Sequence, residues 1–244
     1  MAEVTTQVKS SVSALMQEFN IISQNLANAN TVGYKKRSGA FDKMLEKNME
    51  QPKDTQPSGV KFETSMDFSQ GNMVYTGAPL DLALGDKGFF VVETAKGPLY
   101  TRNGVFHLNE RSQLVDARGR IVAGQGGAIN VPNTVDVSKI NISADGSIKA
   151  GDIAIGKFQV VNFGEDERKL IPAGDSCFMM PDSKVSPQPA ANIAMKQGFQ
   201  ESSNVNMLQE LTNMIMVTRL YEANMKLLSK KSEATNNLLS VAMG

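Results

Sequence analysis

Phe199 to Met243 contains neither glycine nor proline, and no other stretch of that length in the chain lacks both. Within it, Met207, Leu211, Met214, Thr218, Tyr221, Met225, Leu228, Ser232, Thr235, Leu239 and Ala242 follow one another at alternating steps of four and three. That spacing lines side chains along one side of a helix. Taken from Asn204 to Met243, the helix would be roughly 60 Å long at the α-helical rise. A helix with one apolar seam draws most of its stability from packing, so it requires a partner.

Val8, Val12, Leu15, Phe19, Ile22, Leu26 and Ala29 repeat the same spacing near the other end of the chain. Two narrow seams suit helix-on-helix contact, and the expected arrangement is a coiled coil of the N- and C-terminal helices. The alternative is two helices packed separately on a central body. Asn25, Asn28, Asn30 and Thr31 disfavour a helix interior, and Gly33 accepts the positive φ that follows a helix end, so the first helix should stop near Asn30 to Gly33. The clustered side-chain amides also offer donors and acceptors to neighbouring backbones or subunits. Phe41, Met44 and Leu45 suggest a short apolar contact beyond it.

Asn48 to Gly59 and Pro181 to Gly198 carry prolines without periodicity and read as linkers. Between them, alternation and turn residues predict short strands at Leu80–Leu84, Phe89–Val92, Leu99–Thr101, Val105–Leu108, Gln113–Val115, Arg120–Val122, Asp136–Ile142, Ser147–Ala150 and Phe158–Phe163. Asn103-Gly104 and Asp145-Gly146 read as hairpin turns, and Gly85-Asp86-Lys87-Gly88 and Gly124-Gln125-Gly126-Gly127 as turns. Strands this short favour a meander or small barrel-like sandwich over a parallel sheet. The expected fold class is α+β: N- and C-terminal helices paired as a coiled coil, with an inserted, mainly antiparallel β domain. Residues 1–34 and 199–244 should form the helical part, 35–80 an extended segment and linker, 81–180 the β domain, and 181–198 a second linker.

Lys plus Arg and Asp plus Glu each total 25, so the formal net charge is zero, and Lys35-Lys36-Arg37 is the compact basic cluster. Nucleic acid and anionic membrane are therefore not expected partners. No apolar run reaches the length of a membrane span. The polar opening Met1-Ala2-Glu3-Val4-Thr5-Thr6 carries no secretory-signal pattern, which suggests a soluble cytoplasmic protein unless another export signal operates. His107, the one histidine, alternates within a predicted strand, and no G-x-S-x-G elbow accompanies it. Cys177, the one cysteine, reads as a small buried hydrophobe and excludes an intramolecular disulfide. One His and one Cys make no zinc site of the usual ligand type, and the glycine run lacks the P-loop Lys-Ser/Thr. No enzyme, cofactor or metal is expected.

Ile22-Ser23-Gln24-Asn25-Leu26-Ala27-Asn28-Ala29-Asn30-Thr31-Val32-Gly33-Tyr34-Lys35 closely resembles the N-terminal signature of the bacterial flagellar rod and hook proteins. Further matches follow in order. Gln70-Gly71 leads through Thr76-Gly77 into Pro79-Leu80-Asp81-Leu82-Ala83, and Gly88-Phe89-Phe90 is followed by Tyr100-Thr101-Arg102-Asn103-Gly104. Ser202-Ser203-Asn204-Val205-Asn206 then leads to Leu211 and Tyr221-Glu222, so the matches span nearly the whole chain.

The resemblance implies terminal helices paired as an inner tube, a mainly β outer domain, and subunits stacked helically into a torque-transmitting drive shaft and export channel. It implies as partners copies of the chain, other flagellar rod proteins and the flagellar type III export apparatus. The implied location is the periplasm-spanning rod of the flagellar basal body, with no cofactor and no lipid-embedded segment. Gly124-Gln125-Gly126-Gly127-Ala128-Ile129-Asn130-Val131-Pro132 is similar to a segment of proximal rod members, so a proximal position is expected and a distal one comes second. A reading of another class is a non-polymerising β binding module on a helical dimer stalk. The expected assembly residues are Phe19, Ile22, Asn25, Leu26, Asn28, Thr31, Gly33 and Tyr34, and in the final helix Leu211, Met214, Tyr221, Met225 and Leu228.

Overall fold

The computed structural model describes residues 2–39, 64–85, 87–190 and 193–243. The expected contact at Phe41, Met44 and Leu45, the linker at Asn48 to Gly59, and Asp86 lie outside the described residues, as do the side chains of Ser232, Thr235, Leu239 and Ala242.

Helix α1 runs Ala2–Ala27 and helix α2 runs Met207–Met243. Between them come β1 (Arg37–Ser38), β2 (Ser65–Met66), β3 (Met73–Tyr75), β4 (Leu82–Leu84), β5 (Phe89–Thr94), β6 (Gly97–Thr101), β7 (His107–Leu108), β8 (Leu114–Val115), β9 (Ile121–Gly124) and β10 (Gly127–Ala128). Nine more follow: β11 (Ile140–Ile142), β12 (Ser147–Ala150), β13 (Ile153–Lys157), β14 (Val160–Asn162), β15 (Ile171–Gly174), β16 (Cys177–Met179), β17 (Gln188–Pro189), β18 (Met195–Gln197) and β19 (Phe199–Glu201). The chain divides into a helical unit, Met1–Ala27, Arg37–Ser65 and Val205–Gly244, and a β unit, Asn28–Lys36 and Met66–Asn204.

In the helical unit, α1 and α2 meet through Leu15, Ile22 and Val217, with Met214 and Tyr221 packed against them. The Asn206 side chain accepts the Gln209 N–H at 3.1 Å and so caps the start of α2. The more covered positions of α2 include Glu210, Met214, Val217, Tyr221, Asn224 and Leu228. The four-and-three spacing is the expected one, but the line is turned: Met214, Tyr221 and Leu228 belong to both seams, while Leu211, Thr218 and Met225 are exposed. Periodicity does not choose between the two lines, because Leu208, Ile215, Met216 and Leu220 add apolar residues off the expected seam. A hydrogen bond from Asn25 Nδ2 to Glu210 Oε2, 3.3 Å long, draws Glu210 inward.

In the β unit every described strand pair named below is antiparallel. The main sheet runs β15-β16-β6-β5-β9-β8-β7, with β10 beside β9, and β14 and β17 joined through β5. Phe90 and Val92 pack into one apolar cluster with Leu82, Phe106, Val122, Ile148 and Phe158. Phe89 and Val91 point the other way, into a second cluster with Tyr100, Val161, Phe163 and Phe178. Successive strand residues face opposite sides, so a strand covered on both faces is apolar throughout rather than alternating, as Phe89-Phe90-Val91-Val92 is. Phe90 meets Phe106 edge-on, with ring centroids 5.2 Å apart.

Several local expectations change. Asn103-Gly104 does not close a hairpin: β6 lies between β5 and β16, and β7 pairs with β8. The glycine is needed there for a close backbone approach, since a Cβ on Gly104 would stand 1.8 Å from the Leu82 carbonyl oxygen. Asp136–Ile142 begins with a 3-10 turn at Val137–Lys139 before β11. Phe199–Glu201, placed with the helical part at 199–244, is extended, pairs with β3 and belongs to the β unit. The stretch 181–198, read as a linker, supplies β17 to β14 and β18 to β4. Asp145-Gly146 does turn β11 into β12, and the glycine run turns β9 into β10.

Candidate assembly surfaces

The helical unit leaves much of its apolar surface uncovered. Leu208 is 75% exposed, Met216 59%, Ile215 57% and Met16 55%, and Phe19, Leu211, Leu220, Met225 and Leu227 are also open to solvent. Leu15, Met16, Phe19, Asn20, Val217, Thr218 and Tyr221 line an apolar groove of about 380 Å3. Thr218 can sit on its wall because its hydroxyl donates to the Met214 carbonyl at 2.8 Å, which satisfies it within the helix. Apolar surface gathered in this way marks an interaction site more often than a plain protein exterior.

The expected assembly residues separate into two groups. Phe19, Leu211 and Met225 are exposed, and Leu26, Met214, Tyr221 and Leu228 are half-buried. Ile22 and Asn25 are buried inside the unit. Asn25 pairs with the Arg37 backbone as another strand would, donating to its carbonyl at 2.8 Å and accepting its N–H at 2.9 Å.

Asn28, Thr31, Gly33 and Tyr34 belong to the β unit. The Thr31 N–H donates to the Asn28 carbonyl at 3.0 Å and the Tyr34 N–H to that of Thr31 at 3.3 Å, which makes the expected turn. Gly33 has φ +67°, and a Cβ there would fall 2.3 Å from the Asn103 backbone nitrogen. Its N–H donates to the Glu201 carbonyl at 2.8 Å.

Next to it lies a network that the sequence reading missed. Lys35 is wholly buried, and its ammonium donates at 2.6 Å to both Glu201 Oε1 and the Ser69 carbonyl. Glu201 Oε1 also accepts the Gly71 N–H at 3.0 Å, and Arg102 Nε lies 3.7 Å from Glu201 Oε2. The Asn204 side chain accepts the Lys36 N–H at 2.7 Å and donates to the carbonyls of Asp67 at 2.8 Å and Ser69 at 3.1 Å. Burial lowers the Lys35 pKa from its ordinary value, against the opposing pull of the Glu201 carboxylate. The available signal was that Lys35 and Asn204 both stand inside the matched motifs; as a charge, Lys35 looked like one member of a basic cluster, and Glu201 carried no signal.

His107 is exposed on β7. Cys177 is buried, with Arg120 Nη2 3.2 Å from its sulfur, and burial pushes its thiol pKa up, away from nucleophilic use. Among the described residues, no group of three His, Cys, Asp or Glu side chains could hold a metal ion, and no helix is long and apolar enough to cross a membrane.

Residues 10–35 match the family model of flagella basal body rod proteins, 83–150 that of the flagellar hook protein FlgE/F/G D1 domain, and 196–240 that of the flagellar basal body rod FlgEFG protein C-terminal region. The flagellar basal-body rod protein FlgF of Rhizobium meliloti is 31% identical over 233 residues, covering 93% of this chain and 91% of its own. That of Caulobacter vibrioides is 32% identical over 231 residues, covering 91% of each chain. The flagellar basal-body rod protein FlgG of Buchnera aphidicola subsp. Acyrthosiphon pisum is 31% identical over 255 residues, covering 94% of this chain and 96% of its own. The chain belongs to the flagellar basal-body rod protein family and is a structural, non-enzymatic subunit of the flagellar basal body.

Proposed function

We propose that the chain polymerises helically with copies of itself and with other rod proteins, α1 and α2 forming a coiled coil that lines the inner tube. In this reading the β unit stands outside, the rod carries torque across the periplasm, and the chain reaches it through the flagellar type III export apparatus. The observation that carries the proposal is the apolar surface left open on two helices that already share a contact: Phe19, Leu211, Ile215, Met216 and Met225 are exposed while Leu15, Ile22 and Val217 are buried. Neighbouring subunits would cover it, so that part of the helical order is gained on assembly.

Phe19→Asp and Leu211→Asp test this directly. The purified variants should melt as the wild type does and be secreted, yet be missing from isolated basal bodies; normal incorporation would defeat the proposal. Images of assembled wild-type chain should show tubes, where the dimer-stalk alternative requires discrete dimers. Gly124–Pro132 favours a proximal place along the rod, and the FlgF and FlgG relatives match equally well. Complementation of strains lacking one or the other protein decides between them.

A further inference from the structure

The chain passes between its units after Ala27, after Lys36, after Ser65 and before Val205. On the β-unit side, three segments beside these crossings, 33–36, 67–71 and 201–204, are fastened to one another. The Gly33 N–H donates to the Glu201 carbonyl at 2.8 Å and the Asp67 N–H to the Lys36 carbonyl at 2.9 Å. Lys35 ties the first segment to the other two through Ser69 and Glu201, and Asn204 ties the third back to Lys36, Asp67 and Ser69.

A lone chain crossing is a swivel, since each residue keeps two soft backbone dihedrals. Crossings held side by side cannot turn independently, so together they resist twisting as well as tension. A buried ion pair is a weak source of net stability, because desolvation offsets much of the attraction and an apolar pair could fill the same space. What Lys35, Glu201 and Asn204 supply instead is direction: hydrogen bonds made by three side chains that join the three segments, through backbone atoms of 33–36 and 67–71 and through the Lys35–Glu201 pair. We propose that these residues form a clasp through which torque passes between the helices and the β unit. The proposal rests on the rod reading above.

The test uses cells whose only copy of the gene encodes Lys35→Met or Asn204→Ala. The chain is quantified in isolated basal bodies, and rotation is recorded with beads of low and high drag. Incorporated variants should turn low-drag beads as the wild type does and stop or shed high-drag beads several-fold more often. Incorporated variants that drive high-drag beads for as long as the wild type would overturn the clasp and leave the rod reading intact. Wild-type chain missing from basal bodies would overturn both. Should Lys35→Met fail to fold, hydrogen exchange on purified full-length Asn204→Ala carries the test. The Gly33 and Asp67 amides, neither bonded to Asn204, should exchange several-fold faster while those of β5 and β6 keep wild-type rates. Equal acceleration in both places, or in neither, would overturn the clasp.

Discussion

The β unit and the helical unit use their apolar side chains in opposite ways. Phe89, Phe90, Val92 and Phe158 are fully covered within the β unit, whereas Leu208 and Met216 on α2 stand mostly in solvent. The difference comes from geometry more than from composition. A sheet covered on both faces buries every residue of a strand such as Phe89–Val92, but two helices share a single line of contact and leave the rest of each circumference open. The β unit can therefore complete its core alone, and the helical unit leaves its own unfinished.

The largest test of that contrast is Phe90→Ala. Its ring packs against Phe106 and Phe158 with no exposure, and its loss should cost about 3–5 kcal/mol in urea unfolding of the full chain. A loss within the range of surface substitutions would mean that the β core is not what holds the unit together. Ile22→Ala comes next. It opens the small Leu15–Ile22–Val217 cluster, and because a groove already borders that cluster, the loss should fall near the lower end of buried truncations, about 2 kcal/mol. The helical circular-dichroism signal should register it before the β unit melts; simultaneous loss of both would merge the two units into one cooperative body. Ile215→Ser and Met216→Ser should shift the stability of the dilute chain by no more than about 0.5 kcal/mol and still reduce incorporation into basal bodies. A large loss of monomer stability would show that this surface is covered within the chain.

What was legible in the sequence follows the same division. Both helices, the α+β class and many strand positions could be read, because helix seams and both-face-buried strands leave periodic or apolar signatures. The rotation of α2 could not be read: apolar residues on several sides permit more than one seam, and the Asn25–Glu210 hydrogen bond that draws one side inward joins residues 185 apart in sequence. The Lys35–Glu201 pair spans 166 residues and was hidden for the same reason. Asn103-Gly104 misled because its local signal is the same for a hairpin turn as for the close approach to Leu82 that the structure contains. Of the expected assembly residues, Phe19, Leu211 and Met225 remain open to a neighbour, while Asn25 and Gly33 are held by contacts inside the chain.

The smallest effect is expected at Asp145, in the turn between β11 and β12. Its carboxylate accepts from the Ser147 hydroxyl at 2.7 Å, from the Lys157 ammonium at 3.0 Å and from the Ser147 N–H at 3.1 Å. Those bonds, that of the Ser147 hydroxyl foremost, hold its pKa down from 3.8 to about 2. A carboxylate whose folded pKa is depressed adds stability that is present above the unfolded value and lost as pH falls through the folded one. Asp145→Asn should therefore melt slightly below the wild type at neutral pH, and the gap should close as pH falls from 3.8 toward about 2. The turn is exposed, so added salt should narrow the part due to Lys157. A gap that survived at the lowest pH would assign the effect to the shape of the side chain and not to its charge. Incorporation into basal bodies should be untouched, since Asp145 belongs to the unit that completes its own core. Lost incorporation in a normally folded variant would make this turn an assembly surface too, and the contrast between the units would fail at its β side.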